Sequence, residues 1–474
     1  MREFKFIIEN LGVIRHAEFE PGRMTLLCGQ NNTGKTYVAY AFYGFLDYYM
    51  NHYIPEIPID LIDNLVINGN ISINIVEIAS HEDAMLVDVC GKYIKTLPNV
   101  LANSQKSLLD ASVNVEMTAD VMYGLGRSLF LQGLVIENKV IVVDHEPILS
   151  ISKEKGNNMV VISLLNKERA VDKNFLLMVL STFLKVHVFG SPFPRPFIFS
   201  AERTGAAIFR NELDFARNRI LEKMVRSDGN QLNPLELLST AYSNYASPVN
   251  FDVDFVRRLE NIVDRESFIV RDHAQILERF SKIIGGDSQV IRGKVVFVPS
   301  NNKNIRLGIN EVSSSVKSLL AFGYYLRHMA APGDMVIIDE PELNLHPENQ
   351  RLLARLLARL CNIGLNVFIT THSDYIVKEL NTLIMLKREH PAIQAVRKKH
   401  GYQVEECLSF DDVKIYIAEE ESGQQEGRAR RRKGFTLTPA SGNEKYGFIV
   451  ESFNSTIDQM NKIEDDISFS GEDD

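Results

Sequence analysis

The stretch "MTLLCGQNNTGKT" (24–36) limits what this chain can fold into more than any other. The nearly unbroken apolar run "MTLLC" predicts a buried strand. The next eight residues, "GQNNTGKT" (29–36), satisfy G-x-x-x-x-G-K-[ST], and a helix is expected to begin near Lys35. In such a loop Gly29 and Gly34 let the backbone curl, so that N–H groups across Gln30, Asn31, Asn32 and Thr33 face a phosphate. The helix N-terminus adds positive potential. Lys35 is expected to reach the β- and γ-phosphates, and the Thr36 hydroxyl to ligate Mg²⁺. The competing reading is a chance match in a Gly/Asn loop, which the flanking strand and helix disfavour.

Two further apolar runs, "DMVIIDE" (334–340) and "LNVFITTHS" (365–373), predict buried parallel strands. Helical patterns follow them, "NQRLLARLLARLCNIG" and "DYIVKELNTLI", so the layout is βαβ and the expected class α/β. The opening "FKFIIENLGVIRHAEFE" reads as paired strands. Residues 51–165 mix strand-like "ISINIVEI" and "NKVIVVDH" with a hairpin turn at "SKEKGNN". A helix around 170–187 leads to a strand at "PFIFSAER" (196–203), and strands resume at "GKVVFVP" (293–299). The expected organisation is a P-loop lobe with a strand-rich insertion over 1–203 and a charged helical insertion over 204–290. A C-terminal lobe over 291–454 and an acidic, fraying tail over 455–474 complete it.

At 474 residues, 45% hydrophobic and 24% charged, the chain has the balance of a soluble globular protein with two or three lobes. No run reaches the ~18 apolar residues of a membrane span, and the N-terminus lacks a signal peptide's apolar core. No membrane partner is expected. Cys28, Cys90, Cys361 and Cys407 are far apart and show no metal-ligand spacing, which points to free thiols in a reducing cytoplasm and no zinc site. A net charge of −9 gives no global attraction to nucleic acid, so a DNA contact needs a local basic face.

"MVIIDEPELNLHPENQ" (335–350) ends an apolar strand in two carboxylates. Asp339 is expected in the Mg²⁺ shell and Glu340 as the base for water attacking the γ-phosphate. Glu342 reads as a solvated loop residue in preference to a second acid, and His346 as a residue that orients the turn in preference to a metal ligand.

"DEPELNLHPENQ" followed by "FITTHSDYI" resembles the ATPase heads of the non-transporter branch of the ABC superfamily. That branch includes the SMC, RecF and OLD proteins and related AAA-type ATPases of bacterial defence operons. The resemblance covers 1–50 and 291–385, and it implies a P-loop NTPase of ABC/SMC-head type with a helical insertion. It implies that His372 contacts the γ-phosphate from a strand end. It also implies that "VSSSV" (312–316) stands where an L-S-G-G-Q signature binds the γ-phosphate of ATP held by the opposite protomer. Ser313 matches the signature serine, Ser314 and Ser315 replace the glycines, and Val316 replaces the glutamine. The N–H groups of 313–315 would form an anion site, with Lys317 adding charge. The plainer reading is a serine N-cap, and both can hold. In "FIFSAERTG", Arg203 either approaches phosphate, binds Glu202 or forms a surface salt bridge.

In that family ATP is held between two heads, so a head-to-head dimer or higher homo-oligomer is implied. The sequence carries no OLD-type Toprim domain or HNH motif. It resembles the ATPase subunits of two-gene phage-defence systems such as PARIS and Septu, whose effector is a separate nuclease. The expected function is an ATP-gated sensor and scaffold that holds and releases such an effector. The alternative is a RecF-like repair ATPase that clamps DNA; a transporter ATPase is disfavoured. Arg210, Arg217, Arg219, Lys223 and Arg226 lie among acids and read as a solvated face. "GRARRRKG" (427–434) is either a contact to DNA phosphates or an acidic partner, or a solvated turn.

Overall fold

The computed structural model describes residues 3–118, 121–143, 146–165, 172–190, 192–209, 245–420, 434–450 and 459–467. Arg210, Arg217, Arg219, Lys223, Arg226 and the basic run 427–433 lie outside them. Both N-terminal strands form, Phe4–Leu11 (β1) and Ile14–Phe19 (β2), as an antiparallel pair. They lead into Met24–Cys28 (β3), in which every residue is buried. The later strands are Pro196–Phe199 (β4), Met335–Asp339 (β5), Asn366–Thr371 (β6), Val413–Glu420 (β7) and Phe435–Pro439 (β8). The run "PFIFSAER" therefore stays a strand only to Phe199, and Arg203 opens a short helix, Arg203–Ile208.

The chain divides into two compact units. One comprises Met1–Lys5, Leu46–Lys95 and Val113–Pro194; the other comprises Phe6–Phe45, Thr96–Ser112 and Arg195–Asp474. The first unit holds an antiparallel sheet in the order Asn70–Asn74, Met159–Leu164, Glu146–Lys153, Ile136–Val143. Here "ISINIVEI" is not one strand. The Asn74 side chain accepts from the N–H groups of Val76 and Glu77, and this cap starts the helix Ile75–Ala79.

The second unit is built on strands in the order β1-β2-β8-β7-β3-β6-β5-β4, with β7, β3, β6, β5 and β4 parallel. The P-loop strand β3 and the Asp-Glu strand β5 are not neighbours, because β6 lies between them and aligns Thr370 with both Leu27 and Asp339. Both faces of this sheet are covered, so its strands read as continuous apolar runs instead of alternating ones. On one face Phe368 meets Phe19 and Phe42, with ring centroids 5.5 and 5.1 Å apart. On the other, Leu26, Ile338 and Ile369 join Leu353, Leu357 and Tyr325 in one core.

Three helices of this unit bear on the site: Lys35–Asp47 (α1), Ser314–His328 (α2) and Pro347–Asn362 (α3). The described part of the expected helical insertion is helical over Ser247–Arg257, Leu259–Ile262, Phe268–Asp272 and Gln275–Ile284. Its last residues instead form the strand Gly286–Ile291, paired with Lys294–Pro299. In the tail, residues 459–467 are helical and exposed.

The turn into α1 depends on Gly34, whose φ is +88°. A Cβ there would lie 2.7 Å from Ile14 Cγ1 and 2.9 Å from its Cδ1. Gly34→Ala is therefore expected to cost roughly 1–3 kcal/mol, from a left-handed backbone and an overpacked contact. The check is a lowered urea midpoint; a wild-type midpoint would mean that the hairpin gives way at no cost.

Candidate functional site

The site is assembled at the C-terminal ends of β3, β5 and β6, where the backbone turns from strand to loop. After β3 the chain enters the loop through Gly29 (φ +142°), where a Cβ would stand 3.0 Å from the Ala418 carbonyl oxygen. The Thr33 hydroxyl donates to the Gln30 carbonyl at 2.9 Å, which helps hold the curl. Lys35 is buried, and its ammonium lies against the loop, donating to the carbonyls of Gly29 (2.9 Å) and Gln30 (2.6 Å). Burial pushes this ammonium below its ordinary pKa, while Glu340, Cys28, Asp339 and Glu342 pull it back up.

Asp339, the last residue of β5, is fully buried. Its Oδ1 accepts from the Thr36 hydroxyl at 3.2 Å and from the Thr370 hydroxyl. Its Oδ2 is buried with no hydrogen-bond partner among the described residues. Burial raises this carboxyl to about 6; the Thr370 hydrogen bond lowers it, and the neighbouring Glu340 charge raises it further. A buried carboxylate oxygen without a partner, beside a threonine hydroxyl, suits a hard cation that takes oxygen ligands. The residues present therefore fit Mg²⁺, and Thr36 and Asp339 are the ones that would hold it.

Glu340 has φ +51°, a left-handed backbone uncommon for a residue with a Cβ. Its N–H donates to the Thr370 carbonyl and hydroxyl, both at 3.1 Å. Its carbonyl accepts from Arg203 Nη2 at 2.7 Å. Arg203 is itself buried, and it meets neither Glu202 nor solvent. Nη1 donates to the carbonyls of Ser200 (2.8 Å) and Asp339 (2.6 Å), and Nε to that of Ser318 (2.9 Å). Its role is to clamp main chain, which displaces the salt-bridge and phosphate readings. Glu202 accepts from the Tyr40 hydroxyl of α1 at 2.8 Å.

His372 follows β6, and its ring is part-exposed. Its Nδ1 lies 3.5 Å from Glu340 Oε1 and 3.3 Å from Glu342 Oε1. Glu342 is not solvated, with 5% exposure. Its Oε1 accepts from the Thr371 hydroxyl (2.7 Å) and the His372 N–H (2.9 Å). His346 caps α3, accepting the Glu348 N–H at 3.3 Å.

Ser313 is the N-cap of α2; its hydroxyl accepts the Val316 N–H at 3.5 Å and lies 2.8 Å from the Ser315 hydroxyl. Ser313 and Ser314 are exposed, so the cap leaves their outer surface accessible. The capping reading of the three serines is thus met by the geometry. The Ser318 hydroxyl donates to the Ser315 and Leu343 carbonyls, joining the helix start to the loop after Glu340. The structure thus brings Lys35, Thr36, Asp339, Glu340 and His372 together. It adds Thr370, Glu342 and Arg203 as parts that sequence reasoning missed or misread.

The fold is that of a P-loop NTPase. Residues 195–378 match the family described as "AAA domain, putative AbiEii toxin, Type IV TA system". The match spans under half of the chain; it takes in β4, α2, the Asp-Glu strand and His372, and the P-loop lies before it. No curated protein sequence matches. Among solved structures, an SMC head bound to the C-terminal winged-helix domain of ScpA is similar at 11% identity and TM-score 0.34, covering 93% of this chain and 98% of that one. The SMC head domain from Thermotoga maritima is similar at 10% identity and TM-score 0.32, covering 93% and 100%. An Smc head with an extended coiled coil, bound to the ScpA C-terminal domain and derived from Pyrococcus furiosus, is similar at 11% identity and TM-score 0.32, covering 98% and 99%. Scores this low add nothing to the fold read from strand order and loop geometry.

Behind the site, Asp252 is fully buried, and its Oδ2 accepts the Ser200 N–H at 2.7 Å. Burial raises its carboxyl to about 7, with the Ser200 hydrogen bond and Arg203 opposing. The folded protein then holds a proton that the unfolded chain releases between pH 4 and pH 7, so this group's contribution to stability falls as pH rises through that window. Asp252→Asn keeps an oxygen for the Ser200 N–H and removes the titration. Relative to the variant, the wild type should lose stability from pH 5 to pH 8 by about 1.4 kcal/mol for each unit by which the folded carboxyl titrates above pH 5. Urea unfolding at both pH values reads this; parallel pH dependences would rule it out.

Proposed function

We propose that this chain binds ATP with Mg²⁺ and hydrolyses it, closes head to head with a second copy, and through that closure gates a separate effector protein. The observation that carries the reading is the buried Asp339 carboxylate, with one oxygen on Thr36 and the other without a partner among the described residues. A structural salt bridge would not leave a buried carboxylate half satisfied beside a P-loop threonine. Bound Mg²⁺ would neutralise phosphate charge. Lys35 supplies a buried cation for the β- and γ-phosphates. Glu340 accepts the proton of the attacking water, and its carboxylate stands next to His372 on a turn fixed by Thr370 and Arg203. His372 meets the γ-phosphate side of the nucleotide. Ser313, Ser314 and Ser315 close the partner's site, the exposed hydroxyls and the α2 N-terminus offering donors to an anion.

That this effector is a nuclease of a bacterial anti-phage system is inferred from the resemblance of the motifs to two-gene defence ATPases; the family matched over 195–378 is described as "putative AbiEii toxin, Type IV TA system", a name that falls on the matched domain itself. The same closure would then turn ATP state into release of that effector.

Lys35→Ala should abolish nucleotide binding or turnover, read by fluorescent-ATP titration and phosphate release. Unchanged steady-state hydrolysis would remove the assignment. Glu340→Gln should bind ATP, stall hydrolysis and accumulate a dimer in light scattering, because an amide cannot take the proton of water. A normal rate in that variant would put the base elsewhere.

Ser313→Arg should block turnover while sparing ATP binding, and mixing it with Lys35→Ala should restore part of the activity through one intact composite interface. If the serines only cap, the Arg change costs about 1 kcal/mol and leaves turnover near normal. Effector gating is tested by co-purification with the product of any nuclease gene found beside this one: Glu340→Gln and Lys35→Ala should retain different amounts. Equal retention would separate the effector from the ATP cycle.

A further inference from the structure

A cavity of about 580 Å³ lies within the first unit and plays no part in the ATP chemistry. Its walls are the segment 53–58, the start of the helix Ile59–Asn68 and the end of the strand Asn70–Asn74. The helices Ile75–Ala79 and Glu82–Tyr93 and the turn Leu184–Phe189 complete them. The lining is mainly apolar, with Ile57, Leu61, Ile73, Ile78, Met85 and Phe189 among its residues. Polar bonds fix these walls around the space. The Lys92 ammonium lies 2.8 Å from Glu56 and 2.9 Å from Asp88, and Asp88 also accepts from the Tyr53 hydroxyl at 2.9 Å. Lys185 donates to the carbonyls of Met50 (3.0 Å) and Tyr53 (2.8 Å). The cavity is thus built into the unit, as ligand sites usually are.

The surroundings of the cavity identify its occupant. Ile54, Ile59 and Val87 adjoin lining residues in sequence and are 44%, 66% and 69% exposed, so apolar surface continues outside the space. Residues 54–93 carry seven Asp or Glu against one Lys and no Arg, in a chain whose net charge is −9. Glu77, in the lining, and Asp83, beside the lining residue Ala84, are exposed and have no cationic partner among the described residues. Such a rim repels nucleotides, nucleic acids and anionic lipid, and it attracts cations.

We propose that this cavity is a docking groove for a cationic amphipathic helix of a partner protein. Apolar side chains at helical spacing would fill the space, and Lys or Arg beside them would meet Glu77 and Asp83. A small cation with an apolar tail could fill the cavity, but it would leave Ile54, Ile59 and Val87 uncovered. A helix extends past the mouth and can cover them. The inference goes beyond the ATP reading and needs no nucleotide, so either can fail alone.

The full chain, without nucleotide, is titrated into a fluorescein-labelled peptide of about 18 residues, half leucine and half lysine, with the leucines at helical spacing. Fluorescence anisotropy should show saturable binding that weakens about tenfold from about 50 to about 300 mM NaCl. A peptide of the same composition with leucine and lysine in strict alternation should bind about tenfold more weakly, because its apolar face has the period of a strand. Ala84→Trp places a large ring at an exposed lining position and should weaken binding about tenfold. Glu77→Lys combined with Asp83→Lys should do the same from the rim.

Circular dichroism checks that each variant is folded, and the rim variant decides the matter if Ala84→Trp is not. Non-saturable binding, equal affinity for the alternating peptide, or wild-type affinity in either folded variant would overturn the proposal. So would binding of dodecylamine, blocked by Ala84→Trp, in a protein that does not bind the peptide, since the site would then take a small amphipathic cation. A nucleotide-free dimer in sedimentation that Ala84→Trp dissolves would overturn it too, by giving the groove to a second copy of the chain.

Discussion

The hydrogen bonds on Asp339 Oδ1 hold together three pieces of chain that are remote in sequence. Thr36 brings the first turn of α1, Thr370 brings the end of β6, and Asp339 is the end of β5. Hydrogen bonds to an ionised group are worth about 1.5–3 kcal/mol each, more than neutral ones. Burial works in the opposite direction, raising the carboxyl to about 6. The balance is a site in which charge is kept ready instead of neutralised.

Around that point the main chain is held by a second device. Arg203 donates to carbonyls of Ser200, Ser318, Asp339 and Glu340, so one rigid fork ties β4, α2 and the Asp-Glu turn. A lysine, with a flexible stem and a point charge, could not match that geometry. The left-handed Glu340 costs about 1–3 kcal/mol in an ordinary loop. Here its N–H and its carbonyl are both engaged, by Thr370 and Arg203. Ser318 adds a parallel connection, its hydroxyl reaching the Leu343 carbonyl. The helix that starts at the three serines is thus coupled to the turn that carries Glu340 through two contacts of Ser318, its carbonyl on Arg203 and its hydroxyl on the Leu343 carbonyl.

Much of this was legible in the sequence, and the reason is local. A P-loop needs its glycines, lysine and threonine in fixed order, and buried parallel strands announce themselves as apolar runs ending in polar residues. The strands at 24–28, 335–339 and 366–371 accordingly fall where those runs stand. What was not legible depends on neighbours far along the chain. Arg203 and Glu342 look solvated in sequence because charged residues usually are. Their burial arises from carbonyls and donors that other segments supply. Thr370 and Thr371 carried a usable signal, two hydroxyls at the end of an apolar strand. "ISINIVEI" misled because apolar alternation does not reveal the cap at Asn74, which ends one element and starts another.

The order of the sheet also sets a timetable for the nascent chain. Strand β3 pairs with β6 on one edge and β7 on the other, and both partners arrive more than 300 residues later. At ordinary translation rates that is a wait of roughly 15–70 s. Throughout it, "MTLLC" has two open edges, and the β1–β2 hairpin beside it pairs with β8 and not with β3. Contacts of this range make folding slow and leave an apolar strand exposed to other chains. The strand that ends in the phosphate loop is thus among the first to leave the ribosome and among the last to be covered.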